Sequence, residues 1–418
     1  MLTWRSVAAG FIGGILACYV LLSNYGPLAS RRACAMRLKF GQEGKTQDDI
    51  TPSPLSQHSA VGSLLKAAAA RAPSGLQPNT EQACTTQPCC PCPPLLSNKT
   101  CKWSFVRYIP SEFEEKWWID INSSAEVGKY PCPHLDAHYR DYLNVYLKAI
   151  DEGYVTSDPP LPEGGCKCSL QEKPVEFDSR VFSRFEYIND CTSEVLHSYI
   201  EPLVGILRHP RYCPLTGLQR RDPMAKDWLV VDQWEMHKNR GDSSRFYYFD
   251  LGASTWSIND SHFVPSQVWF DSIYENKCGP LQGYWMWEVT QVEPKTVYAS
   301  LPGRVKPNYH WYNVPANPAL DSTDNPFHHL KRVATPDDFI VFKLDIDHAP
   351  TEEAFVAQLL ADAELLALVD EFFWEHHVKM FPIAGIWKKQ VSHSLQPRDS
   401  VELFRRLRLA GVRAHSWI

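Results

Sequence analysis

Residues 338–348 read Asp-Phe-Ile-Val-Phe-Lys-Leu-Asp-Ile-Asp-His. The unbroken apolar run Phe339–Phe342 predicts a strand buried on both faces. Lys343, Asp345 and Asp347 then recur at every second position and so share one face. Polar groups on one face at the C-terminal end of a strand point into a crevice, where open α/β sheets bind their ligands. A carboxylate there can orient an acceptor or take its proton. A histidine, which ordinarily titrates near neutrality, suits general-base work. Asp345, Asp347 and His348 are therefore the candidate catalytic residues.

Two other strands end in acids. Arg245–Asp250 is a compact aromatic strand followed by Leu251, Gly252, Ala253 and Ser254. An acid, a glycine and small residues at a strand end make a cofactor-binding turn, because the backbone can approach a ligand with little or no Cβ in the way. A buried strand followed by a tight turn accounts for the same residues. Tyr284–Glu288 is the second, and an acid at that position accepts hydrogen bonds from ribose hydroxyls. Glu293 is a rival for that role, and a solvated strand-end glutamate is the plainer alternative. The candidate cofactor contacts are thus Asp250, Gly252, Ala253, Ser254 and Glu288. Leu366–Val378 predicts a fourth strand whose polar end, Glu375, His376 and His377, can bind a metal, move protons or serve structure alone; no metal is assigned. Asp399-Ser-Val-Glu402 has capping-box spacing and opens a helix, Gly411 stops it, and residues 412–418 form a closing strand.

These elements predict an α/β, Rossmann-like sheet over residues 226–418. Residues 101–225 predict a mostly helical accessory region. Leu135–Ile150 and Val195–Leu207 carry apolar stripes at helical spacing, the second with Pro202 inside it. Residues 31–100 are rich in Pro, Ser and Ala and predict a disordered stem. Val7–Leu22 is an uncharged apolar run intermediate between a signal-peptide core and a membrane span, so residues 1–30 predict a signal-anchor or signal peptide. Thirteen cysteines and three Asn-x-Ser/Thr triplets, at Asn98, Asn122 and Asn259, agree with an oxidising compartment and some disulfides. The expected location is the Golgi or endoplasmic reticulum membrane, single-pass, with a luminal C-terminal domain. A net charge of −6 lacks the basic field that holds phosphates, so nucleic acid is not an expected partner.

In this order the pieces resemble a class I methyltransferase, most closely the FkbM-type family, over about Tyr247–Ile418. Phe249-Asp250-Leu-Gly252-Ala253-Ser254 is similar to the family's first strand and loop, Glu288 to its second-strand acid, and Phe342-Lys343-Leu344-Asp345-Ile346-Asp347 to its later strand. The chain departs from the family at Trp256 and Ser257, where small residues are usual. It departs again in a longer Gly252–Glu288 interval, with an insertion near Phe263–Leu281, and at Asp347-His348-Ala349. The resemblance implies S-adenosylmethionine as cofactor and places Asp345 beside the methyl group and the acceptor. The acceptor would be a small molecule or a glycan hydroxyl. A glycosyltransferase using Asp345-x-Asp347 with a divalent ion, or a non-catalytic binding domain on the same fold, are the competing expectations.

Overall fold

Residues 101–213 supply a small antiparallel sheet and four helices before the main sheet begins. The computed structural model describes residues 101–155, 171–213, 225–241, 243–257, 264–277, 279–387 and 390–417. Strand β1 (Trp103–Ile109) is followed by helices α1 (Glu112–Ser123), α2 (Ala125–Lys129), α3 (Pro131–His138) and α4 (Arg140–Asp151), then β2 (Ser183–Asn189) and β3 (Val195–Ile200). The three strands form one sheet in the order β1-β2-β3. Disulfides Cys101–Cys191 and Cys132–Cys213 tie this region together.

The accessory region therefore departs from the helical expectation. Val195–Ile200 is a strand paired antiparallel with β2, from Ser183↔Ile200 to Ile188↔Val195. Its β-branched and aromatic side chains suit a pleated surface, and Pro202 would have broken the helix that the spacing suggested. The Leu135–Ile150 stripe is two helices, broken at Tyr139, whose φ of −128° leaves the helical region.

The rest of the chain runs α5 (Gln233–His237), β4 (Phe246–Leu251), α6 (Ser266–Asn276), β5 (Gly283–Trp287), α7 (Pro294–Ala299), β6 (Tyr309–Tyr312) and α8 (Pro326–Val333). It continues with β7 (Phe339–Leu344), α9 (Ala349–Ala361), α10 (Ala363–Leu368), β8 (Glu371–Trp374), α11 (Ala384–Trp387), α12 (Pro397–Leu409) and β9 (Arg413–Ser416). The six strands β4–β9 form one sheet, β6-β5-β4-β7-β8-β9, and every pairing is parallel. Numbered along this sheet the order is 3-2-1-4-5-6, a doubly wound α/β arrangement whose direction reverses between β4 and β7. All six residues of β4 and of β7 are buried, as strands covered on both faces must be. The expected fourth strand is shorter than its apolar run: Ala363–Leu368 is helix α10, and only Glu371–Trp374 joins the sheet. The capping box of α12 is formed by Gln396 and Asp399, and Gly411, at φ +94°, ends the helix.

The expected location is corrected. Among the described residues no helix is long and apolar enough to cross a membrane. The Val7–Leu22 run, the stem, Cys84–Cys92, Cys166, Cys168, Cys278 and the triplets at Asn98 and Asn259 lie outside the described residues.

His237 makes the fold sensitive to acid. Its Nε2 faces Lys277 O at 3.2 Å, and its ring lies 5.5 Å from that of Phe246. Burial lowers its pKa from 6.5 to about 4 against the pull of the Lys277 carbonyl, with Arg240 adding to the fall. The unfolded chain therefore takes up this proton near pH 6.5, while the folded chain resists until about pH 4. Stability from this group is complete above pH 6.5 and is lost as pH falls through that window. Compared with His237→Gln, the wild type should lose up to about 3 kcal/mol more between pH 7 and pH 4 in urea titrations. Parallel losses in the two proteins would refute this.

Candidate functional site

The candidate site lies where β4 and β7 end side by side. Asp345 N donates to Leu251 O at 2.9 Å, which carries the pairing one residue past both strands. Gly252 follows at φ +85°, and a Cβ placed on it would stand 1.6 Å from Asp345 O. Only glycine can turn the chain so close to its neighbour. The amides of Gly252 and Ala253 both donate to Trp287 O, at 3.0 and 2.9 Å, so the turn is fastened to β5 as well. Ala253 is fully buried, and Ser254 is half-buried with its carbonyl accepting from Gln267 Nε2.

Asp250 is placed differently from its expected role. It is fully buried, and its carboxylate accepts from Lys343 Nζ at 3.0 Å, Tyr248 Oη at 2.6 Å and Ser266 Oγ at 3.0 Å. Register explains this, because Asp250 stands directly beside Lys343 across β4 and β7. Burial disfavours the Lys343 charge, but Asp250 and then Asp345 outweigh it and hold the ammonium protonated. Asp250 therefore positions the loop from beneath. Glu288 sits half-buried on the rim of β5. Its Oε1 accepts from Thr290 N at 2.5 Å, and its carbonyl accepts from Asn313 Nδ2 at 2.7 Å. Its other carboxylate oxygen can receive a ligand. Glu293 is exposed at the start of α7.

The three candidate catalytic residues do not point together. Asp345 lies 3.1 Å from Lys343 Nζ and shares a hydrogen bond with Glu375. Burial drives its carboxyl well above the usual range, Lys343 opposes, and Glu375 adds to the rise. Burial also presses on Glu375, but Arg208 and His377 hold it below the usual range. The two neighbouring carboxyl groups are thus pushed in opposite directions, Asp345 up and Glu375 down. Asp347 has left the strand geometry at φ +58° and is exposed, its Oδ1 3.8 Å from His377 Nε2. Asp345 and Asp347 thus differ in backbone and exposure, one half-buried beside Lys343 and the other exposed in the left-handed region. His348 is exposed just before α9, with Nδ1 2.7 Å from Thr351 Oγ1.

The end of β8 completes the site. Arg208 Nη2 donates to Glu375 Oε1 at 2.7 Å, and Trp387 Nε1 donates to the same oxygen at 3.3 Å. The His377 ring stacks on that of Trp387, 4.5 Å between centroids. Glu352, fully buried on α9, accepts from Ile346 N at 3.0 Å and Trp374 Nε1 at 3.2 Å. Burial raises its pKa to about 7 against the opposing influence of His377. His376 turns the other way, with Nδ1 2.8 Å from Ser400 Oγ, Nε2 3.7 Å from Glu353 Oε1 and its ring 3.9 Å from that of Trp374. Arg208, Glu352 and Trp387 carried no signal in the sequence, since tertiary packing brings each of them in. No family model matches the chain, and neither does any curated protein or solved structure.

Proposed function

We propose that the chain is an S-adenosylmethionine-dependent methyltransferase of the FkbM type, acting on a hydroxyl acceptor of a small molecule or glycan. The observation that carries this reading is the strand-order reversal between β4 and β7. Gly252 is pressed against Asp345 O there, and Glu288 stands on the rim of the next strand. Doubly wound sheets bind nucleotide-like cofactors at this place. The backbone of Gly252 and Ala253, Ser254 and the free oxygen of Glu288 would hold the cofactor. Bound S-adenosylmethionine supplies an electrophilic methyl group for in-line displacement.

The protein's own part is alignment and disposal of one proton. Asp345, held between Lys343 and Glu375, would orient a group bound at the strand ends. Exposed Asp347 and His348 lie at the mouth, where a proton can pass to solvent. With Nδ1 engaged by Thr351, His348 has Nε2 left for that task.

The test is calorimetric titration of the full-length protein with S-adenosylhomocysteine. Binding is expected, and Glu288→Ala should weaken it about tenfold or more, the worth of a charged hydrogen bond. Unchanged affinity in Glu288→Ala would remove that residue from the site. A folded chain that binds no S-adenosylhomocysteine would defeat the methyltransferase reading. It would leave a non-catalytic binding domain, which the internally bonded Asp250 and the two amides held by Trp287 O would suit.

A further inference from the structure

Beyond the donor crevice, three side chains at the ends of β7 and β8 converge. Glu375 Oε2 and Asp347 Oδ1 lie 3.3 and 3.8 Å from His377 Nε2. One ligand atom from each residue lies within 4.8 Å of the other two. Among the described residues this is the one group of three or more His, Cys, Asp or Glu side chains so placed. A metal ion with ligands at about 2.0–2.2 Å holds neighbouring ligand atoms about 3.0–3.5 Å apart, close to these separations.

A second observation is independent of the clustering. His377 is fully buried; its Nδ1 has no hydrogen-bond partner, and its Nε2 faces the Glu375 and Asp347 carboxylates without a well-aligned hydrogen bond to either. Buried polar groups are nearly always well satisfied, so a buried imidazole whose Nε2 is aimed between two carboxylates without an aligned hydrogen bond has a place for a cation between them. The surroundings fit a cation. Arg208 and Trp387 both hold Glu375 Oε1, which leaves Oε2 directed at His377, as outer partners orient a metal ligand. Asp347 stands in the left-handed region at φ +58°, which aspartate tolerates, with its carboxylate beside the group.

We infer that Asp347, Glu375 and His377 form a binding site for a divalent first-row cation. One imidazole with two carboxylates suits Mn²⁺, Fe²⁺ or Zn²⁺ better than Ca²⁺, which prefers an all-oxygen shell. Three protein ligands leave positions open on the side of exposed Asp347, and these would take water or a hydroxyl oxygen of an acceptor. The site stands on its own geometry and does not depend on methyl transfer.

The experiment is titration of the full-length protein with Mn²⁺ alone, with the free ion followed by electron paramagnetic resonance. About one equivalent should bind in the micromolar range, and His377→Ala and Asp347→Asn should each weaken binding about tenfold or more. Asp337→Asn, an exposed carboxylate paired with Lys102, should change nothing. Asp347→Asn alters an exposed side chain and so keeps the test valid if His377→Ala fails to fold. Absence of saturable binding by the folded wild type, or unchanged affinity in Asp347→Asn, would overturn the site.

Discussion

Arg413→Met is expected to destabilise the protein by about 3–5 kcal/mol, because it strands buried carboxylates on two elements and leaves a hydroxyl on a third without its donor. Arg413 is buried on β9, one of the two edge strands of the parallel sheet. Its guanidinium reaches Glu371 on β8 at 3.3 Å, Glu235 on α5 at 3.5 Å and Ser198 on β3 at 3.1 Å. It also donates to the carbonyls of Tyr199 and Val230, each at 3.0 Å. A planar cation with five donors is the one side chain that can serve such a set, so Arg413→Lys should recover only part of the loss. The arginine also joins the antiparallel sheet to the parallel one, and its loss should reach both. Urea unfolding measures the effect. Arg413→Met combined with Glu371→Gln should be less unstable than the sum of the two single changes, since the second removes a charge that the first leaves unpaired. A single-variant loss under about 1 kcal/mol would mean that the network contributes little.

The same arginine illustrates how much the chain discloses before it folds. Apolar runs ending in acids marked β4, β5 and β7 within a residue or two, because a strand covered on both faces has nothing to alternate. The polar ends of those runs fall together at the C-terminal edge of the sheet, with Glu375 and His377 just past β8. Pair partners were another matter. Asp250 looked available for a ligand until β7 was known to lie beside β4, and the parallel register then set Lys343 directly against it. Strand order is a tertiary fact, and the role of Asp250 follows from it. Arg208 stands 167 residues from Glu375 along the chain and comes from a segment that read as the end of a helical stripe. Val195–Ile200 shows the limit of periodicity. Its apolar positions satisfied a helical spacing, while β-branched residues, a following proline and a waiting edge on β2 decided for a strand. His348 was legible as chemistry but not as geometry. The turn at Asp347 carries it out of the strand's alternation and onto the start of α9.

Gly252→Ala should damage both fold and ligand binding, for reasons that can be separated. The residue sits at φ +85°, where an alanine is strained by about 1–2 kcal/mol. Its new Cβ would stand 1.6 Å from Asp345 O and 2.6 Å from Asp345 C, both backbone atoms that cannot rotate away. The ends of β4 and β7 would have to part, at a further cost of about 1–3 kcal/mol for forced overpacking. Parting them stretches the hydrogen bond from Asp345 N to Leu251 O and those from Gly252 N and Ala253 N to Trp287 O, which together define the floor of the crevice. A destabilisation of about 2–5 kcal/mol is therefore expected, with a loss of S-adenosylhomocysteine affinity of about tenfold or more in whatever fraction remains folded. Gly303→Ala is the control: a Cβ there meets nothing within 4 Å, and its effect on stability should stay within about 0.5 kcal/mol. If Gly252→Ala lowers stability but a folded sample binds the ligand as the wild type does, the glycine serves strand packing alone and the cofactor lies elsewhere. If stability and affinity fall together while Gly303→Ala changes neither, the close approach of the two strand ends is what shapes the binding floor.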